Sequence, residues 1–228
     1  MQVKADLHVH TIYSHDSLIT AKDLVFYAKK RGLTAVAVTD HNTVEGALKL
    51  AKETDLLIIP GMEVSSRNGH IVALNVQENV PKGLSAEETV DRIHSAGGLA
   101  IACHPFALFK GSLGKHVSAM FDAVETINAS AAPFKRSVQK AEEIATQLKL
   151  PRVAGTDAHY APAIGYAYTI VNAQLDVDSV VKAISAGRCQ PFGASVPLRL
   201  KLEMYYHYFK EKKVGSKIKP IETKQPLL

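Results

Sequence analysis

"MQVKADLHVHTIYSHDSLITAKDLVFYAKKRGLTAVAVTDH", residues 1–41, decides the fold. "VKADLHVH" reads as a strand. "TAKDLVFYAKKRG" follows, with Leu24, Ala28 and Leu33, or Val25 and Lys29, at helical spacing and Gly32 as a stop. "TAVAVTDH" is a β-branched strand. Strand, helix and strand in one stretch form the unit of a mainly parallel α/β protein.

The same alternation continues along the chain. "TVEGALKLAKE" is predicted to be a helix starting near a cap at Asn42 or Thr43. "LLIIPGMEVSS" and "HIVALNV" are strands, with Glu63 ending the first and His70 beginning the second. "SAEETVDRIHSAGG" opens with the capping-box pair Ser85 and Glu88 and ends in glycines. "LAIACHP", "AVETINAS", "PRVAGTDAH" and "GYAYTIVNA" are further strands. "FKRSVQKAEEIATQLK" and "VDSVVKAISAGR" are helices. About seven such units suit a barrel better than two small domains. The barrel is predicted over residues 1–196, and a C-terminal helix and basic tail over 197–228. In that last segment Leu198, Leu202, Tyr205 and Phe209 fit a helical stripe; the alternation of Leu198, Leu200, Leu202 and Met204 also fits a strand, and the helix is preferred.

Composition narrows the class. The 228 residues are 46% hydrophobic and 21% charged, as in ordinary globular proteins. No apolar run approaches the ~20 residues that span a bilayer, and no signal peptide is expected at the N-terminus. Two cysteines, Cys103 and Cys189, are too few for a disulfide framework and point to a reducing cytoplasm. Of the net charge of +5, residues 209–228 carry +4. A basic tail of this kind is ordinarily a solvated end, and it can also help hold a polyanion. The pattern specifies no oligomeric state.

The histidines carry the functional signal. His8 and His10 end the first strand, where period-two alternation points both to one face. His15 lies in the loop beyond. Asp40 and His41 end the second strand, His104 ends "LAIACHP", and Asp157 and His159 end "PRVAGTDAH". The C-terminal strand ends of a parallel barrel converge at one mouth, so these residues are predicted to meet. His70 reaches that mouth only if its strand runs antiparallel to its neighbour, as a short hairpin from Glu63 allows. A lone histidine at a strand end is ordinarily a polar surface residue. Two His-x-His or Asp-x-His pairs at separate strand ends are not explained that way.

Imidazole and carboxylate are the usual ligands of zinc, manganese and iron. Seven histidines with Glu63 and Asp157 exceed the three or four ligands of one zinc. Two or three divalent ions are therefore expected, with Glu63 as the shared carboxylate. No Gly-x-Ser-x-Gly elbow supports a serine triad. Cys103, next to His104, is expected to point to the opposite face and pack in the core.

"DLHVHT", "TDHNT", "PGMEVSS", "GHIVALN", "CHP" and "GTDAH" occur in order from Ala5 to about Gly165. Together they resemble the motifs of the PHP (polymerase and histidinol phosphatase) family. The resemblance implies a distorted barrel of seven β/α units, up to three divalent metals and phosphoester hydrolysis through a metal-bound hydroxide. It implies one metal held by His8, His10, Glu63 and Asp157, a second by Glu63, His70 and His104, and a third by His15, His41 and His159. Some members carry an aspartate where His15 stands.

Around these ligands, Asp40 and Asn128 are candidates for the catalytic machinery, Asp40 by orienting a ligating histidine and Asn128 by positioning substrate or water. Asp6 is a candidate for the same orienting part. Lys110, Lys115, Arg136 and Arg188 are candidates for a phosphate clamp. "FALFKGSLGKHVSAM" is predicted to form a loop over the mouth, with His116 a candidate proton donor. The expected partner is a small phosphorylated substrate or a nucleic-acid end, with no membrane. The competing reading is a non-catalytic RNA-binding or assembly subunit with the same barrel. A full set of ligands favours the enzyme.

Overall fold

The computed structural model describes residues 1–215, and the side chains of residues 1–210. The basic tail beyond residue 215 lies outside the described residues. The chain forms two units, Met1–Val196 and Pro197–Leu228.

The first unit is built on one nine-stranded sheet. Its strands are β1 (Gln2–Val9), β2 (Ala35–Val38), β3 (Leu57–Ser66), β4 (Gly69–Leu74), β5 (Leu99–Ala102), β6 (Ala123–Asn128), β7 (Arg152–Gly155), β8 (Ala167–Asn172) and β9 (Cys189–Gly193). They lie side by side in the order β7-β6-β5-β4-β3-β2-β1-β8-β9. The sheet curls into a nearly closed barrel. Beyond β7, the Asp157 N–H donates to the His8 carbonyl at 2.7 Å and the His10 N–H to the Ala158 carbonyl at 3.0 Å. Thr169 of β8 bonds both backbone groups of Ala154 through its hydroxyl.

The expected barrel is present, with a strand arrangement that departs from a simple parallel series. β1–β2, β2–β3, β5–β6 and β6–β7 are parallel. β3–β4, β4–β5, β1–β8 and β8–β9 are antiparallel. The β3–β4 hairpin required by His70 is there, with Ser65 opposite His70. Glu63 lies inside β3, which continues to Ser66, so it is not a strand end as the sequence suggested. The hairpin extends the strand by giving its last residues a partner.

The helices are α1 (Ala21–Lys30), α2 (Glu45–Glu53), α3 (Ala86–Ser95), α4 (Phe134–Leu148), α5 (Val177–Ser185) and, in the second unit, α6 (Leu198–Gly215). Ser85 and Glu88 form the full capping box of α3, and Thr20 and Asp176 cap α1 and α5. The cap expected for α2 at Asn42 or Thr43 is instead Val44, without a side-chain bond. Asn42 is occupied elsewhere, bonding Ser65 across to β3. On α6 the apolar stripe is exposed, from Leu198 to Phe209. No helix of the described residues is long and apolar enough to cross a membrane.

Inside the barrel, Val3, Ala5 and Leu7 of β1 pack with Ala35, Ile59, Leu74, Ile101 and Val153, and α5 adds Val180, Ala183 and Ile184. Burying each large side chain contributes roughly 1.5–3 kcal/mol. Two irregularities in the sheet then re-aim the chain above this core. Asp6 and Val9 of β1 pair with Val36 and Val38, so three steps face two. Glu125 and Ile127 of β6 pair with Val153 and Ala154, so two steps face one. An extra residue reverses which face the following side chains occupy. His8 and His10 thereby turn inward above Leu7, and Asn128 joins Glu125 on the inner side.

A candidate metal centre at the barrel mouth

Glu63 is the hub. Its carboxylate is 1% exposed, and its two oxygens face two different sets of rings. Oε2 lies 3.0 Å from His41 Nδ1, 3.3 Å from His10 Nε2 and 3.6 Å from His8 Nε2. Oε1 lies 2.9 Å from His70 Nδ1 and 2.8 Å from His104 Nε2. Asp157 Oδ1 completes the first set, 3.8 Å from His8 Nε2 and 3.4 Å from His10 Nε2. His159 Nδ1 is 3.5 Å from the same oxygen.

Outer groups fix the rings. Glu125 Oε1 accepts from His8 Nδ1 at 3.1 Å, and its Oε2 accepts from the His104 backbone N–H at 2.7 Å. His10 Nδ1 is 3.1 Å from Ser14 Oγ, and the Ser14 hydroxyl donates to Asp40 Oδ1 at 2.9 Å. Each arrangement leaves the opposite ring nitrogen aimed inward. His8 Nε2, His10 Nε2 and His104 Nδ1 are buried with no hydrogen-bond partner. Buried imidazole nitrogens without partners are costly, and an electron-pair acceptor such as a divalent cation beside Glu63 and Asp157 would satisfy His8 Nε2 and His10 Nε2. Among the described residues four groups bring three donor atoms within 4.8 Å of one another: His8 with His10 and Glu63; His41 with Glu63 and His70; His10 with His41 and His159; and His8 with Cys103 and His104. The donor chemistry therefore fits a set of divalent metals.

Electrostatics agree with a site built for cations. Burial opposes the charge on Glu63, yet the surrounding imidazoles overcome it and hold the carboxyl well below the usual range. Burial likewise opposes ionisation of Asp157, and Lys110 with His8, His10 and His159 holds it well below. Lys110 Nζ sits 2.5 Å from Asp157 Oδ2.

Several residues take parts other than those expected. His15 is exposed, and its ring approaches only that of His41, at 5.8 Å among the described residues. The neighbouring Asp16 lines the pocket, and its Oδ2 lies 3.4 Å from both His41 Nε2 and His159 Nε2. Asp40 does not face the pocket. It accepts from the Thr11 N–H and hydroxyl and from Ser14, anchoring the loop after β1 and acting on His10 through Ser14. The Asn128 amide donates to Glu125 Oε2 at 2.9 Å and Asp157 Oδ2 at 3.3 Å. Asp6 ties β1 to the segment after β7 through Thr156 and Gly165, and burial pushes its carboxyl up to about 6 against those bonds. Cys103 is buried in the core as expected but on the same side as His104. Its thiol is 3.6 Å from Glu63 Oε1, because β5 stops at Ala102 and His104 turns with φ 31°. His116 contacts Asn68.

The loop after β5 does border the pocket. Phe109, Lys110 and Gly111 face Glu63, His70 and Asp157 across a cavity of about 220 Å³. Gly111 has φ 60°, and a side chain there would meet the His70 ring at 2.7 Å. Glu125 and Asp16 went unnoticed in the sequence. A glutamate on the inward phase of the apolar strand "AVETIN" was the available signal for the first. Asp16 lies in a turn with no periodicity to point it.

The chain resembles known proteins in sequence and in fold. A family model described as PHP-associated matches residues 135–189. The chain is 40% identical over 141 residues to an uncharacterized protein of Methanocaldococcus jannaschii, covering 56% of this chain and 82% of that one. It is 37% identical over 89 residues to a 5'-3' exoribonuclease of Haemophilus influenzae, covering 36% of this chain and 32% of the relative. Its fold matches a two-domain protein of Bacteroides vulgatus containing a predicted PHP-like metal-dependent phosphoesterase, with a TM-score of 0.68 at 17% identity. That match covers 85% of this chain and 65% of the other.

Proposed function

Because the chain belongs to the PHP-domain family of metal-dependent phosphoesterases, we propose that it hydrolyses a phosphomonoester, a nucleotide or the phosphorylated end of an oligonucleotide. The observation that carries this reading is the division of Glu63, whose two oxygens address separate groups of imidazoles. A carboxylate so placed suits a bridge between two ions. His8, His10, Glu63 and Asp157 would hold one, and Glu63, His70 and His104 another. His41 and His159 would hold a third, with Asp16 as their carboxylate in place of His15. Zinc, manganese and iron all suit this donor set.

Divalent ions bound there supply charge neutralisation at the phosphoryl group and acidify a bound water. The chain itself supplies orientation. Glu125 and Ser14 fix the rings of His8 and His10, and Asn128 steadies Asp157. Lys110 offers a cation at the pocket wall for a phosphoryl oxygen. In the net reaction water adds its oxygen to phosphorus, the phosphorus–oxygen ester bond breaks, and the leaving alkoxide takes up a proton.

A panel of 4-nitrophenyl phosphate, nucleoside monophosphates, a phosphodiester and short oligonucleotides tests the reading. Turnover with added manganese, lost on chelation, is the expected result. A protein that carries no metal, turns over nothing and binds RNA is instead a non-catalytic binding subunit.

A further inference from the structure

The loop between β5 and β6 holds an aromatic ring in water. Phe109 is 102% exposed, and its backbone is left-handed at φ 62°. Such a conformation is unfavourable for a bulky residue and marks a site held by its surroundings. Those surroundings are firm on both sides. The Leu108 N–H donates to the Ala132 carbonyl at 2.8 Å, and the Gly111 carbonyl accepts from the His70 N–H at 2.7 Å. Ser112 pins the loop to the His104 and Ala107 carbonyls. Phe109 is thus an exposed ring carried on an anchored loop at the rim of the metal pocket.

On the other side of the same loop lies a second cleft of about 260 Å³. Phe106, Leu108 and Pro133 form its apolar wall, and Arg136 and Lys140 its polar edge. These two cations are four residues apart on α4 and share a face. No acidic residue lines the cleft, and neither cation has an ion pair among the described residues. Lys140 Nζ lies 5.8 Å from the Phe106 ring centroid. Leu108 borders this cleft and Phe109 borders the metal pocket, so the two cavities are one residue of backbone apart. The sequence is metal pocket, exposed aromatic ring, then apolar wall with paired cations. That is the order of a scissile phosphate, its base and the next nucleotide, since single strands are bound by aromatic stacking beside a cationic track.

We propose that Phe109 stacks against the base adjoining the phosphate at the metal centre, and that the Phe106–Arg136–Lys140 cleft receives the next phosphate and base, making a single-stranded oligonucleotide end the preferred substrate. This rests on the hydrolytic reading of the metal centre.

The test uses the full chain loaded with manganese, as wild type, Phe109→Ala, and Arg136→Ala with Lys140→Ala. The probe is a 5'-phosphorylated single-stranded hexanucleotide labelled at its 3' end and bearing a terminal phosphorothioate, read by fluorescence anisotropy. Inorganic phosphate is the competitor, and far-UV circular dichroism checks the fold. Phe109→Ala is expected to weaken hexanucleotide binding about tenfold. The double variant is expected to weaken it about tenfold and to flatten its salt dependence by about 1.4 in log–log slope. Both are expected to lose more affinity for the hexanucleotide than for inorganic phosphate. Wild type binding the hexanucleotide no better than inorganic phosphate, or both variants within twofold of wild type, overturns the proposal. Turnover of 4-nitrophenyl phosphate separates the two readings. Hydrolysis without any response of hexanucleotide binding to the variants sinks the subsite alone. Responsive binding in a protein that hydrolyses no phosphoester sinks the hydrolytic reading and leaves the subsite standing.

Discussion

Glu125 Oε1 lies 3.1 Å from Nδ1 of His8, a residue 117 positions away on the other side of β7. The bond fixes the imidazole so that its Nε2 is turned toward Glu63 and Asp157. Carboxylates behind a ligating histidine set its tautomer and raise its basicity, and losing one costs 10–100-fold in metal affinity as an order of magnitude, roughly. Glu125→Gln is therefore expected to weaken manganese or zinc binding by about tenfold or more while the protein stays folded. Competition against a chromophoric chelator reads this directly. Affinity within twofold of wild type would remove Glu125 from the account.

Gly155 presents a second, steric dependence. A Cβ there would collide with His8 Cβ and lie 2.7 Å from Glu125 Oε1. Neither neighbour can retreat without breaking the His8–Glu125 bond. Gly155→Ala is expected to destabilise the fold by about 1–3 kcal/mol, the usual cost of overpacking, and to weaken metal binding as well. Urea denaturation with and without manganese measures both effects. An unchanged midpoint would mean that β1 and β7 approach less closely than described.

Lys110 is the cation of the pocket wall, paired with Asp157 at 2.5 Å. Burial opposes its charge, but the Asp157 carboxylate prevails and raises its pKa above the ordinary lysine value. It stays charged wherever a phosphate ester would be assayed. A charge-assisted bond is worth roughly 1.5–3 kcal/mol, so Lys110→Ala is expected to raise KM for a phosphomonoester about tenfold or more. The effect on kcat is expected to be smaller. An unaltered KM would take Lys110 out of substrate binding.

Much of this site was legible because most of its imidazoles and carboxylates sit on strands or within four residues of a strand's end. The spacing of His8 with His10 and of Asp157 with His159 put them together at one mouth, and the short link to His70 foretold the antiparallel β4. What stayed hidden depends on irregular backbone. The bulges in β1 and β6 change which face a residue occupies, and no periodicity in "ADLHVH" or "AVETIN" announces them. His104 turns with φ 31°, which brings Cys103 and His104 to one side where an uninterrupted strand would separate them. Asp16 lies one residue beyond His15 in a turn, where an offset of one exchanges a pocket carboxylate for an exposed ring. β9 contains Pro191, which reads as a strand breaker. It is tolerated because β9 is an edge of the sheet, paired among the described residues only with β8.

The central claim is that Glu63 joins two cation sites, and metal stoichiometry tests it most directly. Wild type and Glu63→Gln are loaded with excess manganese or zinc, desalted and analysed by plasma mass spectrometry, with circular dichroism confirming the fold. The account predicts at least two ions per chain in wild type, at most one in Glu63→Gln, and loss of phosphoester turnover with the missing ion. Fewer than two ions in wild type, or the same count in both proteins, would contradict it.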